Sequence, residues 1–393
     1  MWIRHYTARV FREERDGFGD LRDANVLIYW PHGFGDWVFL SYLLPLLEPS
    51  NRYFICRYGD HNTSVMDGSA WVTPLYAGAN DGASMKLAPA EAQHLGLRPG
   101  ASGLRTLAMP AALHAACEEH RIDAVLDAGF WEAMGKTPFP HHTKGRHFLR
   151  SVVSAERLRE LEAGPLRLPL RTAINFDVPA AVTMWVEARL RSELDLGRKK
   201  LCLITRNGYT NCEKNWGHRW REELPEGQRR EGQECRDFMR LMLERDAAWT
   251  FLAMEDRCFS GDDTVRDRAL NCASYAELFG GFDTANVPFG LIGKVLIKVA
   301  EVMVGVPAGL FHLAAAYPSI PTVGLWTAFF PSWCDEPRPC LRHLVGREVI
   351  ETGRHLRPGS FGKREGFEFQ ICFLETRIIP GANVVEEVEE LGL

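Results

Sequence analysis

Short apolar runs recur along this chain, and most of them end in glycine or polar residues followed by a stretch with helical spacing. Asn25-Val26-Leu27-Ile28-Tyr29-Trp30 is the first such run. It breaks at Pro31-His32-Gly33-Phe34-Gly35-Asp36, and Trp37 to Leu47 then reads as a helix that is apolar on most sides. Arg52 to Arg57 gives the next strand, so the segment predicts a β-α-β unit and a parallel sheet. Ala111 to His120 reads as a helix and Ile122 to Asp127 as another strand. Pro138 to His147, with two prolines and three histidines, reads as a loop. Two amphipathic helical patterns follow, Ser154 to Ala163 and Pro179 to Leu194, with an extended piece between them.

The alternation restarts after Gly197-Arg198-Lys199-Lys200. Leu201 to Ile204 is a strand and leads into a polar loop that runs to about Trp220. Cys235 to Arg245 is a helix, Trp249 to Ala253 a strand and Leu291 to Ala300 a helix. Val302-Met303-Val304 reads as a buried strand, broken at Gly305-Val306-Pro307-Ala308-Gly309 before an Ala-rich helix from Leu310. Pro321 to Trp326 is a further strand, and Asn383 to Leu391 a final acidic helix with an apolar stripe. The expected fold class is α/β, with two doubly wound, Rossmann-like domains (1–195 and 196–393) facing across a cleft. Ligands in such folds bind beyond the carboxyl ends of the strands.

Composition narrows the function. The chain has 393 residues, enough for two cores, and apolar and charged fractions of 46% and 25% that suit a soluble globular protein. Its net charge is −5, with Lys and Arg spread through the chain, which argues against nucleic acid as a partner. The first residues show no signal peptide, and no apolar run approaches the ~20 residues that span a bilayer. Ten cysteines without a Cys-x-x-Cys pair point to a reduced, cytoplasmic protein. Cys334, Cys340, His343 and Cys372 are the one cluster that could hold a metal. Their spacing fits no common zinc pattern, so no metal is expected.

Three constellations carry candidate chemistry. Gly33-Phe34-Gly35-Asp36 follows a strand and opens a helix, where glycines admit a ligand close to the backbone and an ionised Asp36 could act as a general base. The alternative is a helix-capping aspartate. Gly17-Phe18-Gly19-Asp20 repeats the four letters without a preceding strand and reads as a turn. Next, Thr205, Arg206 and Asn207 stand at the end of a strand with Lys214 and Trp216 close behind, a set able to bind a diphosphate by charge-assisted bonds. The alternative there is a solvated loop anchored by Trp216. Last, Gly309, Leu310 and His312 form a helix start, which favours an anion. Glu255, just past a strand, could bond ribose hydroxyls or be a surface carboxylate. Basic residues among the glycines of 346–367 suggest a solvated loop, with anion binding as the other reading.

In this order the pieces resemble glycosyltransferase family 9, the ADP-heptose:lipopolysaccharide heptosyltransferases, which have the GT-B fold. Gly33-Phe34-Gly35-Asp36 looks like the family's Gly-x-Gly-Asp, whose aspartate is taken as the base. Lys214-Asn215-Trp216 looks like its Lys-x-Trp, whose lysine meets the donor phosphates. Gly309-Leu310-Phe311-His312-Leu313-Ala314-Ala315-Ala316 is similar to its donor-holding Gly-x-x-His-Leu-Ala-Ala-Ala, and Pro337 stands where a proline loop would close the site. The family's Asp-Ser/Thr-Gly is Pro307-Ala308-Gly309 here, which leaves the donor sugar open. Its proline after Gly-x-Gly-Asp is displaced, with Pro45 as the counterpart.

The resemblance implies an inverting, metal-independent transferase of glycan or lipopolysaccharide biosynthesis. Asp36 would be catalytic, and His32, Gly33, Gly35 and Trp37 would bind the acceptor. Thr205, Arg206, Asn207, Lys214, Glu255, Gly309, Leu310 and His312 would bind the donor. No cofactor is implied beyond the nucleotide-diphosphate sugar as co-substrate. The partners would be that donor and a glycan or lipid-linked acceptor, with peripheral contact at the inner membrane and the oligomeric state left open. Two rivals stand beside it: a non-catalytic sugar- or nucleotide-binding protein, and a GT-B epimerase or hydrolase using His141, His142 or His147.

Overall fold

The structure, a computed structural model, describes residues 4–7, 18–29, 34–56, 63–75, 115, 117–127, 152–162, 172–194, 199–206, 216, 233–254, 268–280, 287–327, 340–346, 371–374 and 379–393. The chain divides into two compact units, Met1–Asn175 and Phe176–Leu393. Each is built on a parallel sheet with alternating helices.

The first unit holds five strands: β1 (Arg4–Thr7), β2 (Asn25–Tyr29), β3 (Arg52–Cys56), β4 (Val72–Leu75) and β5 (Ala124–Asp127). They lie in the order β1-β5-β2-β3-β4, with every pairing parallel. Val26, Leu27 and Ile28 of central β2 are fully buried. A strand covered on both faces is a continuous apolar run, and that is why β2, β3 and β5 stand out in the sequence. Helix α1 (Phe34–Leu43) starts at Phe34 rather than Trp37, so Gly35 and Asp36 lie in its first turn. It passes into a 3-10 turn at Leu44–Leu46 because Pro45 lacks an amide and disfavours helical backbone at Leu44. Residues 117–119 are helical, and α2 (Ala155–Glu162) is capped by Ser154, whose Oγ accepts from the Arg157 amide at 3.1 Å.

The second copy of Gly-Phe-Gly-Asp is packing. Phe18–Asp20 is a single 3-10 turn with Phe18 in the core. Gly19 lies against the Val153–Ser154 backbone so tightly that a Cβ would stand 2.5 Å from the Val153 carbonyl carbon.

The unit boundary falls at Asn175/Phe176, upstream of the junction expected near residue 195. Residues 172–175 are tied back into the first unit. Ala173 N donates to Ser41 O of α1 at 2.9 Å, Ser69 Oγ to Ala173 O at 2.6 Å, and Asn175 Nδ2 to Gly68 O at 3.0 Å. From Phe176 onward the chain packs in the second unit. Helix α3 (Ala180–Leu194) sets Trp185 on Phe279, with ring centroids 5.6 Å apart, so it joins the second unit rather than the first.

That unit carries β6 (Lys200–Thr205), β7 (Trp249–Ala253), β8 (Cys272–Ser274), β9 (Val302–Gly305), β10 (Thr322–Trp326), β11 (Leu341–Val345) and β12 (Ile371–Phe373). Their order is β12-β11-β10-β9-β6-β7-β8, again all parallel. Its helices after α3 are α4 (Gln233–Arg245), α5 (Tyr275–Phe279), α6 (Phe289–Val299), α7 (Gly309–Ala316) and α8 (Gly381–Glu390). Ser274 and Glu277 form a capping box on α5, and Gly280 closes it at φ 82° in the left-handed region. Helix α8 buries Val384, Val385 and Val388. No helix of the described residues is long and apolar enough to cross a membrane.

Candidate active site

In the seven-stranded sheet the strand order reverses between β6 and β9. From β6 the chain runs outward to β7 and β8, then returns to the other side of β6 with β9. The space beyond the carboxyl ends of two such strands is where open α/β sheets hold ligands. Two of the three predicted constellations meet here. Thr205 is the last residue of β6 and pairs in register with Gly305, the last of β9. The Val306 amide donates to Thr205 O at 2.9 Å, and Thr205 Oγ1 donates back to Val306 O at 3.3 Å. A Cβ on Gly305 would stand 1.9 Å from Thr205 Oγ1, so the hydroxyl occupies space that only glycine leaves open. Thr205 therefore knots the two strand ends together. Arg206 follows immediately, buried at the same strand end.

After β9 the chain makes one tight step. The Ala308 amide donates to Val306 O at 2.6 Å around Pro307, and α7 begins. Ala308 is the N-cap, extended at φ −120° and ψ 171°, and no side chain caps the helix. His312 N makes the first helical bond, to Ala308 O at 3.1 Å. The amides of Gly309, Leu310 and Phe311 find no acceptor among the described residues. An uncapped start of this kind, without an acidic residue in the first turn, favours an anion by both its open donors and the helix dipole. Leu310 contributes only its amide, because its side chain is in the core. His312, in the same turn, is buried.

Behind α7 stands an aromatic wall. Phe311 meets Trp326 edge-on (centroids 6.0 Å, 85°), and Trp326 Nε1 donates to His343 Nδ1 at 2.9 Å. Gly324 makes room for all three, since its Cβ would lie within 2.9 Å of each. Sequence reasoning missed this support, because it joins residues on β10 and β11 that no motif links. That bond takes up Nδ1 of His343, a member of the cysteine–histidine cluster, whose Cys334 lies outside the described residues. His343 is cross-strand partner to Ile371, so it and Cys372 project to opposite faces of the sheet. Cys340 Sγ donates to Pro318 O at 3.4 Å, and no metal-binding group of His, Cys, Asp or Glu occurs among the described residues.

Trp216 is the anchor that the sequence suggested. It is 1% exposed, its ring lies on Phe238, its amide donates to Arg206 O at 2.8 Å, and its Nε1 donates to Ile379 O at 2.8 Å.

In the first unit the corresponding reversal lies between β2 and β5, and the helix after β2 is α1. It places Gly35, Asp36 and Trp37 in its first turn. Trp37 is 1% exposed, and its indole N–H has no partner among the described residues. That burial makes it a wall of the unit rather than an exposed platform. The side chain of Asp36 lies outside the described residues. So do His32, Gly33, Asn207, Lys214, Glu255, Cys334 and Pro337, the three loop histidines, and residues 347–367 of the basic tail segment.

Two Rossmann-like units, each with a strand–turn–helix at its strand reversal, define the GT-B class of fold. Among solved structures the chain is similar to E. coli ADP-heptose lps heptosyltransferase II, with a TM-score of 0.51 and 14% identity over 93% of this chain and 98% of that one. It is also similar to the glycosyl transferase family 9 of Veillonella parvula DSM 2008 (TM-score 0.47, 10% identity, 94% and 97% covered). A third is the iron-containing dodecameric glycosyltransferase TibC of enterotoxigenic E. coli H10407 (0.46, 13%, 95% and 77%). No protein-family model matches the chain, and no curated protein matches it by sequence.

Proposed function

We propose that this protein is a glycosyltransferase that moves a sugar from a nucleotide-diphosphate donor to a hydroxyl of a glycan or lipid-linked acceptor. One observation supports this above the others. The end of β6, with Arg206, and the uncapped start of α7 converge at the strand reversal, in a fold shared with a heptosyltransferase. The acceptor O–H would give its proton to Asp36 while its oxygen attacks the anomeric carbon. The bond from that carbon to the diphosphate would break, and the nucleoside diphosphate would leave with the electron pair. Attack opposite the leaving group inverts the anomeric centre. Arg206, Lys214 and the amides at Gly309 to Phe311 would offset the charge that grows on the leaving diphosphate, with His312 adding a hydrogen bond. Those groups supply the neutralisation for which other transferases use a metal ion.

Asp36 suits its part, since a carboxylate in the first turn of a ten-residue helix is favoured in its ionised form. Pro307 and Ala308 bring neither carboxylate nor hydroxyl to the start of α7, so the donor sugar meets apolar groups and bare amides there. This leaves the donor's base and sugar, ADP-heptose among them, to be found by screening. The working place of such an enzyme would be the cytoplasmic side of the inner membrane, where lipid-linked acceptors are presented.

The test is binding. A nucleotide-diphosphate sugar at ~100 times its dissociation constant adds roughly 2.7 kcal/mol to stability, which a thermal-shift screen detects. Lys214→Ala then lowers the affinity of the hit about tenfold or more, the worth of one charge-assisted phosphate contact. Unaltered affinity in that variant removes Lys214 from the donor site. Binding without transfer to any acceptor, and without slow hydrolysis, would favour a non-catalytic binding protein.

A further inference from the structure

Trp216 sits in a polar stretch of sequence (Asn211-Cys212-Glu213-Lys214-Asn215 before it, Gly217-His218-Arg219 after it), yet it is among the most deeply buried side chains of the protein. Two hydrogen bonds account for its place. Its amide donates to Arg206 O, so the chain leaving β6 is pinned to the point at which it returns to the core. Its indole N–H donates to Ile379 O, from the far end of the sequence. Ile379 is fully buried and leads through Pro380 into α8.

The start of α8 is itself locked onto α4. A Cβ on Gly381 would stand 2.5 Å from Glu234 O and 2.6 Å from Phe238 N, so the two backbones touch at a point that only glycine allows. The Gly381 amide donates to Glu234 Oε2 at 3.0 Å. Phe238, one residue of that contact, carries the Trp216 ring. The path therefore runs from the docked C-terminal helix, through the Ile379 carbonyl and the indole, to the Arg206 backbone.

We infer that Trp216 is a positioning residue for the donor diphosphate, and that the docked segment Ile379–Gly381 is what holds it in place. Resting on the function proposed above, the inference assigns to the C-terminal segment a part in donor affinity. Trp216 fixes the Arg206 end of β6. A lost indole bond leaves the buried Ile379 carbonyl unsatisfied and frees the loop end, while Asp36 is untouched.

Trp216→Phe keeps an aromatic ring in the core and removes the indole N–H together with part of the ring system, so its packing loss is matched by a control. The expected result is a dissociation constant for a nucleoside diphosphate raised about tenfold, as for one unmet buried bond, with kcat at saturating donor within about twofold of the parent. Phe251→Leu, in the fully buried middle of β7, loosens the same core without touching Trp216, Ile379 or Gly381; it is the control and leaves that affinity unchanged at a comparable loss of Tm. Amide hydrogen exchange on the ligand-free protein is the second readout: Trp216→Phe speeds exchange at 203–206 and at 379–385 together, beyond the control. Gly381→Ala, which disturbs the dock alone, gives the same paired opening and weaker nucleoside diphosphate binding, and it stands in if Trp216→Phe does not fold. Affinity and exchange no different from the Phe251→Leu control would overturn the inference. A parent protein that binds no nucleoside diphosphate overturns the proposed function instead, and the paired exchange still decides whether the C-terminal segment holds the Arg206 end.

Discussion

The helices α1 and α7 each follow an inner strand that flanks the reversal of strand order in its own sheet, α1 after β2 and α7 after β9. Both are almost wholly apolar and buried. Their first turns differ in charge. α1 carries Asp36 as its third residue, whereas α7 opens on Ala308, Gly309 and Leu310 with no acid in its first turn and no capping side chain. The same backbone device thus meets opposite needs. One start holds an anion of its own, suited to taking a proton; the other leaves its amides bare, suited to taking an anion from a ligand. On the function proposed above, the first start would serve the acceptor and the second the donor.

The second unit breaks most easily at Gly305. Gly305→Ala drives a methyl into Thr205 Oγ1 and toward Thr205 O (3.1 Å), parting the ends of β6 and β9. We expect about 3 kcal/mol of destabilisation, the upper range for overpacking, measured by urea unfolding, together with lost nucleoside diphosphate binding. Full stability in that variant would mean that the β6–β9 junction is not a built feature.

The first unit responds instead to alkaline pH. Burial pushes the Tyr53 phenol of β3 up to about 12 from an ordinary 10.0, outweighing the lowering effect of its bond from Asn51. The native state keeps that proton longer than the unfolded chain, so its contribution is full below pH 10 and is lost as pH rises through about 12. The total is roughly 3 kcal/mol, and Tyr53→Phe should flatten that part of the stability–pH curve.

The smallest change returns to the second unit. Thr250 Oγ1 of β7 is buried without a partner among the described residues. Thr250→Val removes that unmet group and should raise stability by about 1 kcal/mol, read from the shift in urea midpoint. No gain would mean that a group outside the described residues satisfies the hydroxyl.

What the sequence shows of this fold follows from burial. β2, β3, β5, β6, β7, β9 and β10 are interior strands, and each reads as a continuous apolar run. The strands that the pattern misses include every sheet edge: β1, β4, β8 and β12. An edge strand is covered less, so β1 reads Arg-His-Tyr-Thr and β4 tolerates Pro74, which no central strand would accept. β11 is interior but carries Arg342 and His343, and only the Trp326 indole explains how His343 fits there. α5 did carry a readable signal, the Ser274-x-x-Glu277 capping box. Of the candidate site, the two strand ends and the start of α7 were legible as motifs. Their meeting was not, because strand order is a property of the sheet, and neither Gly305's contact with Thr205 nor the bond from Trp216 to Ile379 leaves a local trace.

The central claim is that Asp36 takes the acceptor proton during transfer from a bound donor. It is tested most directly by following nucleoside diphosphate release by ³¹P NMR, for the parent and Asp36→Asn, with the best donor from the screen and a hydroxyl acceptor. The account predicts turnover in the parent and a fall of ~10²-fold or more in the variant, by the usual worth of a general base, with donor affinity unchanged. Equal turnover in the two proteins would contradict it.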